Sequence, residues 1–147
     1  MPRYLISFDD GSMDHIPDED WPEVGKASHA VVQEAKDAGI WIFGGGVERQ
    51  QATVVGTDGS ITDGPVPETK AVIGGFSIIE VPSRAEALEW ASRIARGCRC
   101  AQEVREIMYD PASWEQAVAA PAGLTTQQST RWEGRPPQTT PAVESRD

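Results

Sequence analysis

Two histidines are the side chains of this 147-residue chain best suited to moving a proton at neutral pH, His15 and His29. Histidine titrates near neutrality, so one beside a cleft can take a proton and return it. His15 lies among Asp14, Asp18 and Glu19 and reads as a solvated loop side chain. His29 lies in a helical stretch, beside an apolar stripe and one turn from Gly25 and Val32. It is either a satisfied structural residue or a general base. Asp63 precedes Gly64-Pro65. An aspartate there either bonds its own downstream backbone in an Asx-turn or offers its carboxylate to a site. Glu68 and Lys70 follow the turn. They are either a lightly paired, solvated surface or the polar mouth of a cleft that binds a polar ligand. Arg105 carries a planar fork that suits an anionic ligand, or a carboxylate across a dimer.

Other patterns exclude chemistry. Cys98-Arg99-Cys100 lacks the wider spacing and second ligand pair of a zinc site. Next to a predicted strand, both sulfurs point one way, as a buried thiol pair or as a redox pair. Gly44-Gly45-Gly46 and Gly74-Gly75 match neither nucleotide-loop pattern and do not precede a helix. The acidic loop holding Asp9, Asp10, Asp14, Asp18, Glu19 and Asp20 lacks EF-hand spacing and reads as solvated. No metal and no organic cofactor is expected.

The formal net charge of −10 repels nucleic acid and anionic membrane surfaces. No apolar run reaches the roughly 20 residues of a membrane span. The N-terminus opens on a strand-like Met-Pro-Arg-Tyr-Leu-Ile-Ser-Phe without the apolar core of a signal peptide, and the chain holds two cysteines. Both features point to a reducing cytoplasm.

These residues need elements to hold them. Tyr4–Phe8 reads as a buried strand. Asp20 is placed to cap a helix that begins with Trp21-Pro22. Its inward face is Trp21, Val24, Ser28, Val31 and Ala35, and Gly39 ends it. Ile40–Phe43 is a second strand, interrupted at Gly44–Gly46 and resuming at Ala52–Gly56 beyond a bulge or bend. Thr57-Asp58-Gly59-Ser60 is a hairpin turn. Phe76–Val81 is the next strand, and Ser83 with Glu86 makes a capping box. The second helix carries Ala85, Leu88, Ala91 and Ser92 on its stripe, flanked by Trp90, Ile94 and Ala95, and stops at Gly97. Glu103–Met108 is the last strand, with Arg105 on the face opposite Val104. The order β-α-β-(β)-β-α-β is the ferredoxin-like α+β pattern. Such a sheet has one bare face, which a second copy of the chain would cover. After Asp110 the composition turns rich in Pro, Thr and Ser. The chain is therefore divided into a domain over 1–110 and an extension over 111–147, disordered or ordered by docking, with one short helix near Ala112–Ala120.

Asp63–Phe76, Asp-Gly-Pro-Val-Pro-Glu-Thr-Lys-Ala-Val-Ile-Gly-Gly-Phe, resembles the signature of the YCII-related (DGPF) family. The Glu-Val-Arg ending at Arg105 resembles that family too. Val66 stands where the signature has Phe, and Ala71 where it has a second Glu, which removes an aromatic wall and a carboxylate. The resemblance implies a dimeric α+β barrel, a bacterial homodimer. It also implies a histidine–aspartate pair, for which His29 and Asp63 are the matching candidates. A carboxylate that accepts from one ring nitrogen raises the basicity of the other. With Tyr4, Phe8, Trp41 and Phe43 holding a ring, and Glu68, Lys70 and Arg105 binding its polar groups, two functions follow. One is an acid–base enzyme, an isomerase or lyase acting on a small cyclic or aromatic metabolite. The other is a non-catalytic ligand-binding or accessory protein tied to sigma-factor stress regulation. Convergence of His29 and Asp63 on a solvent-reachable apolar pocket favours the first; separation favours the second.

Overall fold

The computed structural model describes residues 1–49, 52–64 and 72–114. They fall in two units, Met1–Tyr109 and a second that begins at Asp110. The first unit holds β1 (Arg3–Asp9), α1 (Trp21–Asp37), β2 (Trp41–Gly46), β3 (Thr53–Val55), β4 (Ile61–Asp63), β5 (Ile73–Glu80), α2 (Arg84–Cys98) and β6 (Glu103–Glu106). A single 3-10 turn, Asp18–Asp20, leads into α1. Four strands pair antiparallel in the order β2-β5-β1-β6. The sheet is thus the ferredoxin-like one expected, with α1 and α2 over one face.

Alternation decides which residues make the core. Tyr4 and Ile6 of β1 pair with Ile79 and Ser77 of β5. Tyr4, Ile6 and Ile79 form the buried cluster with Val81 and with Ala87, Ala91 and Ile94 of α2. Val24 and Ala35 of α1 are buried as expected, whereas Trp21 is exposed. On the opposite sheet face stand Leu5, Phe76 and Ile78, half-buried, and Phe43, 63% exposed.

Several elements differ from the sequence-based expectations. Strand β2 runs straight through Gly44–Gly46 rather than stopping at Phe43. A Cβ on Gly44 would lie 2.5 Å from the Phe76 carbonyl oxygen and 2.9 Å from Ser77 Cα, so glycine lets β2 close on β5. Residues 53–55 are not a continuation of β2. They pair with β4 as a separate two-stranded hairpin across the expected turn, where Asp58 accepts from the Ser60 amide. The α2 stripe is rotated: Ala87, Ala91, Ile94 and Gly97 are buried, and Leu88 is exposed. Gly97 is not the stop. A Cβ there would sit 3.3 Å from the Ala27 carbonyl oxygen of α1, so Gly97 is the point of helix contact. The helix ends instead at Arg99, in the left-handed region with φ 54°. Ser83 does cap α2, accepting from the Glu86 amide at 3.3 Å. Asp20 makes no cap; its carboxylate accepts from Arg99 at 2.7 Å.

The second unit is described over Asp110–Trp114. Asp110 accepts from the Ala112 amide and the Ser113 hydroxyl at 3.1 and 2.6 Å and so opens α3 (Pro111–Trp114). The rest of the expected Ala112–Ala120 helix, and the remaining extension, lie outside the described residues. No helix among the described residues is long and apolar enough to cross a membrane.

Candidate functional site

A cleft of about 470 Å³ opens between α1 and the β2 edge of the sheet. Its volume suits a ligand of one or two rings. One wall is the α1 face that carries His29, Val32 and Lys36, successive residues on adjacent turns. The other wall carries Phe8 and Trp41, while Phe43 and Phe76, on the opposite sheet face, also border the cleft. The Phe43 and Phe76 rings meet at 5.9 Å, tilted by 53°.

Two glycine features make the cleft. Gly45 and Gly46 line it, and a Cβ on either would meet nothing within 4 Å. The edge strand therefore leaves open space where side chains would otherwise stand. Gly75 pairs with Phe8, whose ring lies where a Gly75 Cβ would be. Glycine at 75 thus leaves room for the Phe8 ring, which lines the cleft.

The polar groups in the cleft are few. Ser77 is 9% exposed and lines the cleft. Ser28 Oγ donates to the Val24 carbonyl at 2.8 Å and lies 3.5 Å from Cys98 Sγ. Neither cysteine is on a strand. Cys98 ends α2 at the cleft, and Cys100 is buried beyond it, both free. Burial pushes the Cys100 thiol up to about 11; the Cys98 thiol acts the same way, and the Gln102 hydrogen bond opposes it.

His29 and Trp41 are brought together at the cleft. Asp63 is not among the residues that line it. Its carboxylate accepts from Thr53 Oγ1 at 2.7 Å across the exposed β3–β4 hairpin, and no hydrogen bond joins it to His29. Asp63 is therefore neither half of a His29 dyad here nor, in its described bond, an Asx-turn. Arg105 is on edge strand β6, exposed, with its Nε 2.9 Å from the Glu103 carboxylate. Glu68 and Lys70 lie outside the described residues. The acidic loop is more than a solvated stretch. Arg49 donates to both Asp14 oxygens at 2.6 Å and stands 3.4 Å from Asp10, which holds the Asp14 carboxyl below its ordinary value.

The YCII-related domain family matches residues 13–115, well over half of the chain. The chain belongs to that family. No curated protein matches it. In this YCII-related chain the Gly74-Gly75 step of the signature has a packing reason. A Cβ on Gly74 would lie 2.9 Å from the Asp10 backbone, and Gly75 seats Phe8. Lys36, Ser77 and Gly45–Gly46 line the cleft and were missed by sequence reasoning. The signal was there for Lys36: positions 29, 32 and 36 share a helical face next to the core face through 24, 28, 31 and 35.

Proposed function

We propose that this YCII-related protein binds a small ring compound in the cleft between α1 and β2, as a ligand-binding protein. The observation that carries the reading is an open, aromatic-walled cleft reached by His29 but not lined by Asp63. The walls suit a flat ring, because aromatic faces stack on one another with little geometric demand. A ring compound of about ten heavy atoms, at roughly −0.5 kcal/mol per atom, would bind with a Kd on the order of 0.1 mM. An acid–base enzyme is the second reading, favoured by the place of His29 on the cleft wall, with the histidine working without an aspartate. The working unit is a cytoplasmic homodimer in which a second copy covers the open sheet face around Phe43, Leu5 and Ile78.

A thermal-shift screen of ring compounds tests the binding reading, since a ligand selective for the folded state raises Tm by mass action. Gly46→Val is the control. Its side chain enters open space, so the fold should persist while hits lose their effect. Hits that stabilise Gly46→Val as well as wild type would bind elsewhere, and the cleft reading would fail.

A further inference from the structure

We propose that the ligand is an aromatic carboxylate, with its charge received at Lys36 and a hydroxyl or carbonyl at its other end received by Ser77. This rests on the cleft being the binding site. The chain has 23 acidic and 13 basic residues, yet no carboxylate lines the cleft among the described residues. Its ionisable nitrogens, on His29 and Lys36, are both potential cations. The excess acid elsewhere makes this selection notable, because a cleft lined by one sign of charge concentrates ligands of the other.

Lys36 is also unspent. It has no carboxylate partner among the described residues. The carboxylates beside it in α1 are engaged elsewhere: Glu34 lies 3.7 Å from Arg93, and Asp37 accepts from Gln33 at 2.9 Å. A lysine in the last turn of a helix also complements the macrodipole. That accounts for a cation at this level of the helix, not for its place on the cleft side. His29 and Lys36 are seven residues apart, about 10 Å along the axis, with apolar Val32 between them. One wall therefore alternates polar, apolar, polar over the length of a substituted ring.

Ser77 is an independent observation. Residue 77 is about nine-tenths buried, yet it lines the cleft. It places a hydroxyl on the sheet side of the cleft, across from the α1 wall. A ligand hydroxyl or carbonyl would exchange a hydrogen bond with this hydroxyl, while the ring lies against Trp41 and Phe8.

The test uses the full-length protein and three probes on one ring: 4-hydroxybenzoate, its neutral isostere 4-hydroxybenzamide, and benzoate, which lacks the hydroxyl. Binding is followed by titration calorimetry at low salt. The expected result is that 4-hydroxybenzoate binds about tenfold tighter than the amide. Lys36→Met should abolish that ratio and Lys36→Arg should keep it. Ser77→Ala should weaken 4-hydroxybenzoate toward benzoate without changing the acid-to-amide ratio. Equal binding of acid and amide, or an acid preference that survives Lys36→Met, overturns the proposal while the cleft reading stands. If none of the three binds, the proposal is overturned. In that case the outcome of the neutral-ring screen, with its Gly46→Val control, says separately whether the cleft binds rings at all.

Discussion

At the scale of single residues, the same side chain types do different work according to what faces them. Asp63 and His29 are each suited to proton transfer, yet only His29 stands on the cleft. Asp63 spends its carboxylate on Thr53 at the open end of an exposed hairpin. Asp63→Asn should therefore cost less than about 1 kcal/mol in chemical denaturation, the usual range for an exposed substitution, and leave ligand affinity unchanged. A loss of affinity would return Asp63 to the site. Cys100 supplies a pH signature. Its thiol is raised from 9.0 to about 11 in the fold. Below pH 9 the thiol is protonated in both states and its contribution is constant. As pH rises from 9 toward 11 the unfolded chain loses the proton first, so folding stability falls. Urea midpoints of wild type should drop more steeply over that window than those of Cys100→Ala.

At the scale of elements, the alternation of apolar residues in β1 and β5 and the caps at Ser83 and Gly39 were legible because each rests on local chemistry. Gly39, for instance, takes φ +73° just after α1, as a terminating glycine does. The α2 face was misread because alanine and serine carry little hydrophobic contrast, so the stripe at Ala87, Ala91 and Ile94 looks much like its neighbour at Ala85, Leu88 and Ser92. What decides between them is Gly97 against Ala27 of α1, a contact between distant residues that periodicity does not contain. The glycine run of β2 was misread for a related reason. Glycine lowers strand propensity locally, but Gly44 is required by the approach of β5. Gly44 and Gly46 should accordingly respond differently. Gly44→Ala should destabilise by about 1–3 kcal/mol, the cost of overpacking. Gly46→Ala should be neutral or slightly stabilising, because it removes unfolded-state freedom and meets no clash. Thermal melts of the two variants side by side decide this.

At the scale of the whole molecule, the first unit has helices on one sheet face and a half-covered apolar surface on the other. Phe43 is 63% exposed there, and on the separate β3–β4 hairpin Val55 is 66% and Ile61 68% exposed. Isolated two-stranded hairpins are marginal in water, which gives a second copy two reasons to dock. Light scattering at micromolar concentration should return about twice 15.9 kDa, and a compact monomer would contradict the dimer. The ferredoxin-like fold was legible from the order of elements. The cleft was not, because it is made of absences: two glycines without side chains and a helix face turned slightly from the core. The claim that this cleft is the ligand site is tested most directly by amide chemical-shift mapping with a screened ring compound. Shifts should centre on Ser28–Lys36 of α1, Gly44–Gly46 of β2 and Ser77 of β5. Shifts confined to the hairpin around Thr53 and Asp63, with the α1 and β2 amides unmoved, would contradict it.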